Sequence, residues 1–134
     1  MNRLKGNIVE IESCDGISLV TIQTTVSLFA AVLLDTPKSC QYLKLYNDIT
    51  VAFKETEVAI ALTNLGDISM ANQIKCTIKS MKVGKILTQI ELTCRDKKIV
   101  SIITTRSSLR LGLKEKKEVI ALIKTNEISL MEDD

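Results

Sequence analysis

The sequence predicts an all-β protein that consists of two small five-stranded β-barrels in tandem, each with one short helix. The chain has 134 residues, which is enough for one ordinary domain or two very small ones. Apolar and polar residues alternate with the period of two that is typical of strands. A shift of 70 residues aligns the second half with the first without a gap. Together these observations favour a duplicated β-domain.

The repeat is carried by a shared order of apolar positions more than by identical residues. Asn2 corresponds to Asn72, and Lys54 corresponds to Lys124. The apolar correspondences extend over the whole half and include Leu4/Ile74, Ile22/Leu92, Phe29/Ile99, Phe53/Ile123 and Val58/Ile128. We therefore expect a first barrel at residues 1–62, a linker at 63–68 and a second barrel at 69–134.

Five strands are predicted in each half from the alternation and from the intervening turns. Those of the first half are residues 4–12, 17–22, 28–34, 48–53 and 58–62, and those of the second half are 74–81, 87–92, 99–104, 118–123 and 127–130. Glycine-containing turns separate the first two strands of each half. The last strand of each half is expected to close its own barrel.

A short helix fits between the third and fourth strands of each half. In the first half Thr36 can cap the helix and Pro37 can occupy its first turn, where the missing N–H costs nothing. In the second half Thr105 or Ser107 is the expected cap of a helix that ends at Gly112. Five short strands and one helix in so few residues predict OB-like barrels, the oligonucleotide/oligosaccharide-binding type.

Units of this size bury little surface, so contacts between copies of the chain are expected to add stability. Val26, Val51 and Val58 are predicted to face outward and to contribute to such contacts. We therefore expect a homo-oligomer.

Composition excludes several classes of function. The chain has no His, which removes the usual general base and most zinc sites, so we expect no enzyme and no directly ligated metal. It has no Trp, two Tyr and two Phe, too few aromatics for the stacking platform of a single-strand nucleic-acid binder. The net charge of +2 is too small to indicate nucleic acid or an anionic membrane as the partner.

Targeting and cysteine patterns predict a cytoplasmic location. The N-terminus leads into a strand pattern without an apolar signal core, and the longest apolar stretch is too short for a membrane span. The four cysteines never form a C-x-x-C pair. We expect them to be reduced and mostly buried.

The most informative residues lie around the start and the end of the second repeat. Ser69-Met70-Ala71-Asn72 precedes its first strand, and Ile123-Lys124-Thr125 follows its fourth strand. Between them lies Leu111-Gly112-Leu113-Lys114-Glu115, with Asn2-Arg3-Leu4-Lys5-Gly6 as the N-terminal counterpart of the first strand. In order and spacing these segments resemble the molbindins, the Mop or TOBE-type domains that bind molybdate or tungstate, in a tandem (di-Mop) arrangement.

The resemblance implies an oxyanion site made of hydrogen-bond donors. A tetrahedral dianion needs N–H groups, hydroxyls and a cation, and it needs neither His nor Cys. By resemblance, Ser69 donates its hydroxyl, Met70, Ala71 and Asn72 contribute backbone N–H groups, Lys124 supplies the charge and Thr125 adds a donor. The equivalent pocket of the first repeat uses Lys54, with Asn2 and Arg3 nearby.

Two departures from the family motif S-A-R-N bear on this site. Ala71 stands where the family has Arg, and Met70 stands where it has Ala. If the family's Arg acts through its backbone N–H, Ala71 serves equally well; if its side chain matters, binding weakens or is lost. The first repeat has no Ser-Ala-Arg before Asn2 in this sequence.

The resemblance implies storage, homeostasis or sensing of molybdate or tungstate, with pockets between subunits of a homotrimer, or second a dimer. One alternative is a regulatory or accessory module of a molybdate transporter or repressor. That alternative requires a separate DNA-binding or ATPase partner, because these residues contain no helix-turn-helix and no nucleotide motif. A second alternative is an OB-type nucleic-acid binder.

Overall fold

The computed structural model describes residues 1–63 and 66–132. Over these residues the chain forms ten strands, one α-helix and two single-turn 3-10 helices, at Glu55–Glu57 and Thr125–Glu127. The strands are β1 (Asn2–Cys14), β2 (Ile17–Thr24), β3 (Leu28–Leu33), β4 (Asp48–Phe53), β5 (Ala59–Ala61), β6 (Asn72–Val83), β7 (Leu87–Cys94), β8 (Lys97–Thr104), β9 (Glu118–Ile123) and β10 (Ser129–Glu132), and the helix is α1 (Thr105–Arg110). The predicted all-β class is confirmed.

The strands form two five-stranded antiparallel sheets that exchange their last strands. One sheet has the order β10-β4-β1-β2-β3, and the other has the order β5-β9-β6-β7-β8. Leu130 of β10 pairs with Val51 of β4, and Ile60 of β5 pairs with Ala121 of β9. The prediction that each repeat closes its own sheet is therefore wrong. The cause is local: Lys54 continues β4 in extended conformation, and the following 3-10 helix carries the chain across instead of reversing it.

The repeat seen in the sequence recurs in the strand register. Both fourth strands have the predicted bounds, whereas both first strands start two residues earlier than predicted, at Asn2 and Asn72. The register of β1 with β2 shifts between Ile8 and Glu10, and that of β6 with β7 shifts between Ile78 and Ser80. The two halves thus bend at equivalent positions.

The helix prediction is correct only for the second half. Residues 34–47 form turns without a helix: the Thr36 carbonyl accepts from the N–H groups of Ser39 and Cys40, and this single turn does not continue. In the second half α1 is capped by Thr104, whose side chain accepts from the N–H of Ser107. The predicted caps Thr105 and Ser107 are wrong, because the Thr105 hydroxyl donates to the carbonyl of Gly84.

Buried side chains of both sheets form one hydrophobic cluster. The Phe29 and Phe53 rings stack with their centroids 5.8 Å apart, and Ile99 and Ile123 are buried at the equivalent positions.

The prediction that Val26, Val51 and Val58 face outward is wrong, because all three are buried. For Val51 the physical reason is that β4 is covered on both faces, so the period of two fails there. Val26 and Val58 lie outside the strands, where strand alternation does not predict the direction of a side chain. In the described residues, no helix is long and apolar enough to span a bilayer.

The strand exchange predicts a long-range effect of a mutation in β10. Leu130 is 8% exposed, so Leu130→Ala should lower the free energy of unfolding by about 2–5 kcal/mol. The amides of β4, which β10 covers, should lose protection first in hydrogen exchange. Met131→Ala is the matched control, because Met131 is 41% exposed and its loss should change stability by less than about 0.5 kcal/mol. Loss of protection confined to β9 would contradict the exchanged topology.

Candidate functional site

The predicted site residues of each repeat meet at one end of a strand pair. Asn72 pairs with Ile123 at the end of the β6–β9 ladder, so the segment 69–71 and the segment 124–125 leave the sheet at the same edge. We call this place the second corner (residues 69–72, 124 and 125). Asn2 pairs with Phe53 in the same way, which defines the first corner (residues 2, 3, 54 and 55).

The lysines of the two corners have the same backbone geometry. Lys54 has φ −75° and ψ 148°, and Lys124 has φ −68° and ψ 147°. Each lysine carbonyl accepts a hydrogen bond of 3.0 Å from the N–H three residues later, at Glu57 and Glu127. Both side chains are exposed, and across residues 1–63 and 66–132 neither ammonium forms an ion pair or hydrogen bond. Each corner therefore offers an unpaired cation.

The side-chain amides of Asn2 and Asn72 bind the third strand of the opposite repeat. Asn72 donates from Nδ2 to the Ala30 carbonyl at 2.9 Å, and its Oδ1 accepts from the Ala30 N–H at 2.7 Å. Asn2 forms the same pair of bonds with Val100, at 2.9 and 2.8 Å. Each side-chain amide thus makes the two hydrogen bonds that a residue of a neighbouring strand would make. We call these two contacts the amide clamps.

The amide clamps give both asparagines a structural role that the sequence interpretation did not assign. Asn72 is 2% exposed and Asn2 is 7% exposed, so both amides need partners inside the protein. The signal was present, since Asn2 and Asn72 are identical at the repeat distance. The binding partners of the two amides could not be predicted from this identity, because the partners depend on how the two repeats pack against each other.

Each corner is consequently built from both repeats. The 3-10 helix after Lys54 contacts β8, and the one after Lys124 contacts β3. Near the first corner, the buried hydroxyl of Ser101 also donates a hydrogen bond of 2.7 Å to the Val58 carbonyl. Position 31, the counterpart of Ser101, is alanine and lacks this bond. The third strands therefore hold both lysine turns in place.

The other predicted residues of the second corner differ in exposure. Ser69 and Ala71 are exposed, whereas Met70 and Thr125 are half-buried. The Met70 carbonyl accepts from the side-chain amide of Gln73 at 3.0 Å, which ties the segment to the start of β6. The side chains that the corner presents are therefore donors without a carboxylate: the hydroxyls of Ser69 and Thr125 and the ammonium of Lys124.

The first corner differs in charge at one position. Glu55 stands where the second corner has Thr125, and its carboxylate pairs with the N-terminal ammonium of Met1 at 2.5 Å. The hydrogen bond from that ammonium lowers the pKa of the Glu55 carboxyl. Arg3, predicted to lie nearby, pairs with Ala52 in the β1–β4 ladder. The first corner therefore has an ion pair where the second corner presents the Thr125 hydroxyl.

The two repeats also differ in net charge. Residues 1–63 carry 5 Lys and Arg against 7 Asp and Glu, whereas residues 68–132 carry 13 against 6. Among the described residues, no group of three His, Cys, Asp or Glu side chains could hold a metal ion. The second corner is thus suited to a small anion bound by donors.

Comparisons with known proteins agree with this architecture. Residues 68–130, the second repeat, match the family model of the TOBE domain. The whole fold is similar to a crystal structure described as the cytoplasmic molybdate-binding protein ModG with molybdate bound, with a TM-score of 0.91 and 24% identity. The likeness covers 98% of this chain and 96% of that one. No curated protein sequence matches the chain.

Because of the amide clamps, we expect replacement of Asn2 or Asn72 to lower the free energy of unfolding, whereas replacement of an exposed asparagine should not. Asn72→Ala leaves the Ala30 N–H and carbonyl without their partner and should lower the free energy of unfolding by about 1–3 kcal/mol. Asn2→Ala should act similarly through Val100. Urea denaturation measures both. The exposed Asn126→Ala serves as control and should stay within about 0.5 kcal/mol of the parent; an equal loss for all three variants would contradict the clamps.

Proposed function

We propose that this chain is a non-enzymatic, cytoplasmic protein that binds molybdate or tungstate, for storage, homeostasis or sensing of the oxyanion. The observation that carries the proposal is the second corner, where an unpaired lysine lies with two hydroxyls at a strand edge. The likeness to ModG over nearly the whole chain and the TOBE match of the second repeat support it. The ligand is bound as cargo, through donors and not through metal-ligating side chains.

We assign the roles at the second corner residue by residue. Lys124 supplies the positive charge, Ser69 and Thr125 donate hydroxyl hydrogen bonds, and the backbone N–H groups at 70–72 complete the cradle. Ala71 then contributes through its N–H, which any residue other than proline provides. Asn72 holds the corner against β3 through its amide clamp.

We further propose that the repeats are two tandem OB-like barrels of the di-Mop type, with strands exchanged between them. Each sheet has the five strands that such a barrel needs, and the exchange joins the two into one core. The domain limits 1–62 and 69–134 then describe the repeats in sequence, whereas each barrel takes its fifth strand from beyond its own limits.

We propose a homo-oligomer, a trimer in preference to a dimer, in which neighbouring copies complete the pockets. Large apolar side chains are exposed on both repeats: Leu28 57%, Leu34 83%, Val83 63%, Ile86 74%, Leu87 52% and Leu109 75%. Val83, Ile86 and Leu87 lie together at the β6–β7 turn, and apolar residues exposed side by side are typical of contact surfaces. These residues replace the valines that the sequence had suggested for the contact.

The second repeat's basic character is the one observation that favours the nucleic-acid alternative. Outward-facing cations there are partly neutralised, since Lys79 and Lys98 lie 3.5 and 3.7 Å from the carboxylate of Glu91. Both phenylalanines are buried, so they offer no stacking surface. Oxyanion binding is therefore the better-supported function, and single-stranded DNA belongs in its test as a competitor.

Calorimetric titration with molybdate, tungstate, sulfate and single-stranded DNA tests the proposal. We expect molybdate and tungstate to bind and sulfate and DNA to be rejected. Lys124→Ala removes a charge-assisted bond of about 1.5–3 kcal/mol, so molybdate affinity should fall by roughly tenfold to over a hundredfold. Lys114→Ala, an exposed lysine outside the corner, should leave the affinity unchanged. Binding of DNA alone would refute the proposal.

The two corners should differ in affinity because of residue 55. Glu55→Thr gives the first corner the residue that the second corner has, removes a carboxylate and leaves the Met1 ammonium without its partner. We expect molybdate binding at the first corner to strengthen, and more so at low ionic strength, where the attraction of the added net positive charge is screened less. Measured in a Lys124→Ala background, the titration isolates the first corner. An unchanged or weaker affinity would show that Glu55 does not oppose the anion.

A further inference from the structure

Strands β6 and β7 place two cysteines opposite each other. Their ladder ends at the pair Thr77 and Thr93, and one step further along lie Cys76 and Cys94. In the first repeat the corresponding pair, Gly6 and Thr24, belongs to the ladder. Facing residues inside an antiparallel ladder have Cα atoms about 4.5–5.5 Å apart, and Cys76 and Cys94 stand one residue beyond the last such pair. A disulfide spans Cα separations of about 4.4–6.8 Å, so it can join a pair that is somewhat wider than a ladder pair.

The two cysteines line a cavity of about 860 Å³ together with Lys75, Arg95 and Val26. The first repeat shows why the strands part here. A Cβ at Gly6 would lie 2.4 Å from the carbonyl oxygen of Gln23, so a side chain at this point forces the neighbouring strand away. With Cys76 in place of the glycine, the ladder stops one pair earlier. Although Cys76 is 5% exposed and Cys94 is 6% exposed, the cavity gives small molecules a route to them.

The surroundings make the two thiols unequal. Burial, with a smaller contribution from the neighbouring Cys94, raises the pKa of Cys76 to about 12. Burial also raises the pKa of Cys94, but the neighbouring Cys76 thiol and the charge of Arg95 oppose that rise. Cys94 is therefore the thiol that ionises more readily, and thiolate is the form that attacks oxidants.

We propose that Cys76 and Cys94 form a reversible redox site, which hydrogen peroxide oxidises to an intrachain disulfide. The Cys94 thiolate attacks one peroxide oxygen, the O–O bond breaks, and Cys94 becomes a sulfenic acid as the other oxygen leaves as water. The Cys76 sulfur then bonds to the Cys94 sulfur and releases a second water. The two thiols lose two electrons in total, and hydrogen peroxide gains them.

Closure would join β6 to β7 where their backbone ladder ends. β6 begins at Asn72, four residues before Cys76, so the bond lies on the strand that carries the second amide clamp. The site is independent of oxyanion binding, because neither cysteine belongs to a corner. Its test can therefore fail or succeed without any bearing on the proposed function.

The test uses the full chain with Cys14→Ser and Cys40→Ser, which leaves only the facing pair. Cys14 is exposed and Cys40 is half-buried, and both lie in the first repeat. After equimolar hydrogen peroxide we expect both thiols of each chain to disappear and the intact mass to fall by two hydrogen atoms. Peptide mapping should find residue 76 linked to residue 94, and dithiothreitol should restore both thiols. Persistent thiols, a gain of oxygen mass or a link between chains would overturn the proposal.

A second measurement tests the order of attack. In the same background, Cys76→Ser removes the resolving thiol, so the sulfenic acid at Cys94 should persist and be trapped by dimedone. Cys94→Ser leaves only the poorly ionised Cys76, which should give at least tenfold less adduct. Equal adduct at both positions would overturn the assignment of Cys94 as the attacking thiol.

Discussion

The exchange of the last strands is the constraint on which the rest of this structure depends. β10 completes the sheet of the first repeat and β5 completes the sheet of the second, so neither repeat has a full sheet of its own. The same crossing brings the third strands against the lysine turns, where the amide clamps of Asn2 and Asn72 fix them. Sheet closure, the common core and the shape of both corners therefore have a single origin.

The clamps show how a small β-protein can join two sheets without a continuous ladder. A side-chain amide has one donor group and one acceptor, like a peptide unit, and can satisfy one residue of a neighbouring strand completely. Because Ala30 and Val100 receive both bonds, their backbones can approach the corner without unpaired polar groups. An aspartate or a leucine of similar size could not replace asparagine in this role.

Much of the secondary structure follows from the sequence because local patterns determine it. The apolar runs define β4 and β9 to the residue, and the 70-residue repeat places the corners and identifies Lys54 and Lys124 as equivalent. The pairing partners of β5 and β10 could not be predicted, since the two strands are related by the repeat and either sheet would accept either one. In the first half the predicted helix stops after one turn at residues 36–40, and the cap pattern of Thr36 and Pro37 does not reveal how far the turn continues. At the candidate site, the residue types could be chosen from the motifs, but the opposite-strand contacts of Asn2 and Asn72 required the fold.

The covalent joining of the two repeats has a consequence for how the corners can change. A single-repeat protein could form the same exchanged pair only as a homodimer, and each substitution would then appear in both copies at once. Fusion keeps the exchange partner at a high effective concentration at any dilution. Fusion also allows the two corners to differ in sequence. They do so at residue 55, which is glutamate where the second repeat has Thr125. In a single chain, therefore, a substitution can alter one corner and leave the other unchanged.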